Sequence, residues 1–112
     1  MKKLNKIMLI LSILPTLLTS VFLFFMNDTV PMHYNASGAV DRYGSKYENF
    51  ILPAIILFMY AFYMVYTKIY TKYSTNSVEK INNNVKITAI LVTSIIAAFN
   101  ILQLMFLILA IL

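Results

Sequence analysis

The residues able to do chemistry in this chain are few, and most of them lie in one stretch, Val30 to Lys46, reading VPMHYNASGAVDRYGSK. It holds the single histidine, His33, the single arginine, Arg42, and both glycines, Gly38 and Gly44. Asp41 and Lys46 lie within it, and Asp28 and Glu48 flank it. A histidine beside carboxylates can move protons or help hold zinc. Zinc sites usually bring several nitrogen or sulfur ligands, however, and this chain offers one histidine and no cysteine. No metal and no cofactor are therefore expected. No serine has a second histidine to activate it, and nothing marks a substrate for acid–base work by His33 and Asp41, so no enzymatic activity is expected. The plainer reading is a compact cap in which His33, Asn35 and Asp41 satisfy backbone groups while the loop rests on the helices around it. Asn35-Ala36-Ser37-Gly38 is a turn signature. The triplet Asn35-Ala36-Ser37 also fits a glycosylation acceptor, a pattern that counts only in a cell that glycosylates secreted asparagines.

What must position this stretch is a membrane. Of the 112 residues, 61% are hydrophobic and only 12% are charged, too few to cover a water-facing surface. The mean hydropathy is +0.79. The expected fold class is an all-α integral membrane protein, one domain over 1–112, with three transmembrane helices and an ordered outer loop between the first and second. The spans are read as 7–26, 50–73 and 87–112, the outer loop as 27–49 and a polar connector as 74–86. A helix needs about 20 apolar residues to cross the hydrocarbon, and 7–26 supplies them without a charge. No small-residue cleavage site follows it, so a retained anchor is expected, not a cleaved signal peptide. Pro15 lies mid-span and should kink the helix, with Ser12 placed to satisfy a freed carbonyl. The third span is longer than the bilayer core and should tilt or protrude.

Within the spans, Ser12, Thr16, Thr19 and Ser20 recur on one helix side, which reads as a face of small residues for helix packing. Asn100 and Gln103 share a face three residues apart and are expected to make interhelical hydrogen bonds. Tyr60, Tyr63, Tyr66, Tyr70 and Tyr73 share another face and read as an interfacial belt, with Lys68 and Lys72 reaching headgroups.

The net charge of +5 does not indicate nucleic acid, because the lysines flank apolar runs. They serve as orientation signals instead. Lys2, Lys3 and Lys6 precede the first span, and Lys68, Lys72, Lys80 and Lys86 surround the second connector. The 27–49 loop carries only Arg42 and Lys46, beside three carboxylates. This asymmetry predicts a multi-pass protein of the cell membrane with a cytoplasmic N-terminus and connector, and with the loop and the C-terminus outside. Lysine outnumbers arginine eight to one and Ile and Asn are frequent, consistent with an AT-rich bacterial genome.

The pattern Pro31-x-His33-Tyr34-Asn35-x-x-Gly38-x-x-Asp41-x-Tyr43-Gly44-x-Lys46, followed by Leu52-Pro53 opening a helix, resembles a bacterial membrane domain of unknown function best known from Sdp-type toxin immunity proteins. In that family the immunity member protects its producer from a secreted toxic peptide, and as a membrane receptor it withholds a transcriptional repressor from DNA. The resemblance covers about Val30 to Pro53. It implies no catalytic residues, and it makes Pro31, His33, Asn35, Gly38, Asp41, Gly44 and Lys46 a candidate ligand- or toxin-contacting set. The full immunity protein has a second membrane half, so the resemblance implies a membrane partner or a homo-oligomer in its place, or a narrower role for this member. The partners expected are the lipid bilayer, a secreted peptide toxin, such a membrane partner or second copy, and a cytoplasmic repressor. The competing reading is an accessory subunit packed on a larger membrane transporter or complex through the Ser12/Thr16 and Asn100/Gln103 faces.

Overall fold

A computed structural model describes residues 2–112. Three long helices carry the chain: α1 (Lys2–Phe22), α2 (Ile51–Tyr73) and α3 (Val78–Ile111). Each is long and apolar enough to cross a membrane. The protein is an all-α membrane protein in its spanning part, and the three helices pack on one another in all three pairings. Between α1 and α2 stands a two-stranded antiparallel hairpin, β1 (Thr29–Tyr34) and β2 (Val40–Ser45). Short 3₁₀ turns, Leu23–Phe25 and Lys46–Phe50, join it to the helices.

Helix α1 starts at Lys2, ahead of the expected 7–26 span. Lys2 to Lys6 contains no helix breaker, Leu4 packs on the core, and Asn5 accepts a bond from the Tyr63 hydroxyl at 3.2 Å. Pro15 lies inside the helix and is buried. Proline has no N–H to give the carbonyl four residues back, which here is Leu11. Ser12 does not fill that gap: its hydroxyl donates to Met8 O at 2.6 Å. The Leu11 carbonyl instead receives Asn100 Nδ2 from α3 at 2.9 Å.

The expected 74–86 connector shrinks to Ser74–Ser77, and α3 begins at Val78. Ser77 caps it, its hydroxyl accepting from Lys80 N at 3.2 Å. Asn82, Asn83 and Asn84 are weak helix formers, yet they extend a helix already nucleated. Ile81 is buried beneath them, and Asn84 Nδ2 donates to the Tyr70 hydroxyl at 2.7 Å. At 1.5 Å per residue, the 34 residues of α3 reach about 51 Å. That exceeds the roughly 30 Å hydrocarbon core, so the polar start of α3 projects beyond it. In α2, Pro53 occupies the first turn, where its missing N–H costs no helical bond.

Two apolar clusters hold the bundle. Met8, Ile56, Tyr63, Ala89 and Ile96 form the central one. Met26, Val30 and Leu107 form the second, which seats the hairpin on the end of α3. The chain direction puts the hairpin at one end of the bundle, while Lys2, Lys3, Lys6, Lys68, Lys72, Lys80 and Lys86 cluster toward the other.

Candidate functional site

Turn chemistry builds the hairpin. Asn35 Oδ1 accepts from Ser37 N at 3.0 Å, Ser37 Oγ at 2.7 Å and Ala39 N at 3.1 Å. Asn35 N donates to Ala39 O at 2.9 Å and Gly38 N to Asn35 O at 3.0 Å. Gly38 sits at φ +84°, a left-handed conformation that side chains other than glycine's resist. Asn35 and Gly38 are thereby accounted for by the turn itself.

Gly44 and Lys46 serve the base of the hairpin. A Cβ at Gly44 would collide with the Glu48 carboxylate and with Met32. Glu48 Oε1 in turn accepts from Arg42 Nη1 at 3.3 Å. Lys46 N donates to Asp28 O at 2.9 Å, and Lys46 Nζ lies 3.5 Å from Asp28 Oδ1, which joins the two ends of the excursion. Pro31 is half-buried in β1, opposite Tyr43.

His33 and Asp41 differ from these. Their side chains meet across the hairpin, Nδ1 to Oδ1 at 2.5 Å, yet they stay 65% and 41% exposed. The register slips on either side of His33. Such an irregularity twists a strand and re-aims its side chains. The turn, the Lys46–Asp28 clasp and the apolar seat all close without this pair, so a histidine–carboxylate couple is left facing water. Among the described residues no three His, Cys, Asp or Glu side chains gather in a metal-holding group.

The polar residues of the spans tie this platform to the helices. Gln103 is 3% exposed, and its Nε2 donates to Thr19 Oγ1 at 3.0 Å and to Asn49 O at 2.8 Å. Three elements, α1, α3 and the turn below the hairpin, thus meet at one amide. Asn49 is itself buried, its Nδ2 donating to Lys46 O at 2.9 Å. Ser12 and Thr19 are buried, whereas Ser20 is exposed. Thr16 Oγ1 is enclosed with no hydrogen-bond partner among the described residues. The structure therefore brings Gln103 to the hairpin base and Asn100 to the Pro15 kink, while Ser12 and Thr16 stay on the α1 packing side. Asn5, Asn49, Asn84 and the pairing roles of Tyr63 and Tyr70 were not singled out by sequence. The recurrence of asparagines beside apolar runs was the available signal.

A match to a known protein family falls on this same region. Residues 10–57 match a family described as a domain of unknown function, DUF1648. The matched stretch runs from the body of α1 through the whole hairpin to the first turns of α2. The chain is also 43% identical over 42 residues to an uncharacterized protein of Archaeoglobus fulgidus, covering 38% of this chain. It spans 23% of that protein's length. No solved structure matches the chain. The chain is a small membrane protein bearing a stretch similar to that domain of unknown function.

Proposed function

We propose that this chain is a peptide-toxin immunity or sensing protein of a bacterial cell membrane, with the hairpin outside as its contact site. One observation supports the reading above others. His33 and Asp41 form an exposed pair on a platform whose remaining motif residues are engaged in holding its shape. A preformed surface loses little conformational entropy when it binds. In this reading the lysine-rich end of the bundle lies in the cytoplasm, as loop charge directs, and offers the surface for a repressor. The protein binds and does no chemistry.

The test is expression of the chain in a toxin-sensitive low-GC bacterium, followed by challenge with secreted peptides concentrated from medium of the strain that encodes it. Survival above the empty-vector control supports the proposal. Equal killing of both contradicts it. The accessory-subunit reading loses the face expected to carry it, since Ser12, Asn100 and Gln103 make their bonds inside the bundle; its remaining motive is an apolar groove of about 320 Å³ between α2 and α3, lined by Phe58, Phe62, Tyr66 and Val92 among others. Stoichiometric co-purification of a large membrane transporter would favour it.

A further inference from the structure

A second cleft, of about 210 Å³, opens between α2 and α3 beneath the hairpin. Ile51, Leu52 and Ile55 of α2 and Leu102 and Phe106 of α3 form its walls, with Met32 of β1 above. Glu48, Asn49 and Gln103 supply its polar lining. Gln103 is fixed there by its bonds to Thr19 and Asn49, and Glu48 carries Arg42 beside it at 3.3 Å. Arg42 is 55% exposed and Glu48 32% exposed, so both charges remain open to a ligand. The site is thus an apolar slot between two membrane-spanning helices, with the Glu48 carboxylate in its lining and Arg42 beside that carboxylate. A helix, about 10 Å across, does not fit such a slot. An acyl chain does.

We propose that the cleft binds phosphatidylethanolamine, with an acyl chain against Ile55 and Phe106, its phosphate on Arg42 and its ammonium on Glu48. Charge complementarity selects this lipid. A phosphatidylglycerol headgroup can set its phosphate on Arg42 but has no cation for Glu48. A phosphatidylcholine headgroup has a cation but no N–H to donate. Phosphatidylethanolamine presents both charges and three ammonium donors, and it matches the Arg42–Glu48 pair end for end. Binding here does not depend on the peptide-toxin reading.

The chain has no tryptophan, so a single introduced indole reports on one place. Ile51→Trp and Leu102→Trp put it at the cleft, and Phe58→Trp puts it on the other groove as a control. Each variant, full length, is reconstituted in vesicles with increasing fractions of brominated phosphatidylethanolamine, phosphatidylglycerol or phosphatidylcholine. At the two cleft positions, half-quenching is expected at about a three- to fivefold lower fraction of phosphatidylethanolamine than of the others, the ratio that one exposed ion pair provides. At Phe58→Trp no preference is expected. Arg42→Gln and Glu48→Gln, each added to the cleft reporters, should abolish the preference, and Arg42→Gln leaves the Glu48–Gly44 packing in place. Equal quenching by all three lipids at the cleft overturns the proposal. A preference that survives both substitutions overturns the assignment of the headgroup to Arg42 and Glu48.

Discussion

Asn100 on α3 repairs the break that Pro15 makes in α1. Proline at position 15 leaves the Leu11 carbonyl without its helical donor, and Asn100 Nδ2 sits 2.9 Å from that oxygen while also donating to Ile96 O at 2.8 Å. In lipid no water substitutes for a missing donor, so the two residues form a unit.

This unit can be measured. Asn100→Ala should destabilise the bundle by about 1 kcal/mol, the scale of interhelical hydrogen bonds in membranes. Pro15→Ala returns a backbone N–H to Leu11 O. In that background Asn100→Ala should cost markedly less, giving a coupling of about 0.5–1 kcal/mol in a double-mutant cycle of unfolding in mixed micelles. Strictly additive costs would show that Asn100 acts independently of the kink.

Gln103 should control the hairpin more than the bundle. Gln103→Leu keeps the volume but strips the donor from Asn49 O and Thr19 Oγ1, at a cost of about 1–2 kcal/mol. Amide hydrogen exchange should accelerate over Lys46–Phe50 and β2, with the middle of α2 unchanged. Uniform acceleration along all helices would assign Gln103 to general packing.

The two glycines should fail differently. Gly38→Ala forces a side chain into a left-handed conformation and should cost about 1–2 kcal/mol, confined to the turn. Gly44→Ala meets the Glu48 carboxylate and Met32, so it should push Glu48 away from Arg42 and shift resonances at both. Chemical-shift mapping in micelles separates the outcomes. A Gly44→Ala spectrum unchanged at Arg42 and Glu48 would contradict the packing described.

The spans were legible because hydrophobicity and length alone specify them, and the Asn35–Gly38 turn was legible because its chemistry is local. The strands beside the turn were not. Val30, Met32 and Tyr34 alternate only weakly with their neighbours, and what stabilises β1 is Val30 lodging against Leu107, far along the chain. The early start of α3 was hidden for a similar reason. Asn82–Asn84 reads as loop by propensity, and only the buried Ile81 and the Tyr70–Asn84 bond reveal the helix. At the site, His33 and Asp41 were found by residue type, whereas their pairing across a register slip, and the tie from Gln103 to the hairpin base, depend on contacts that spacing does not encode.

In the proposed function, the exposed His33–Asp41 pair, and not the hairpin scaffold, meets a toxic peptide. The direct measurement compares survival of cells carrying the parent chain, His33→Ala or Asp41→Ala, at matched membrane levels, under the same secreted-peptide challenge. Micelle spectra of the two variants should show the Asn35 turn and the Lys46–Asp28 clasp intact. The parent should protect, while each variant should lose most of that protection. Protection retained in full by both variants, with the hairpin folded, would contradict it.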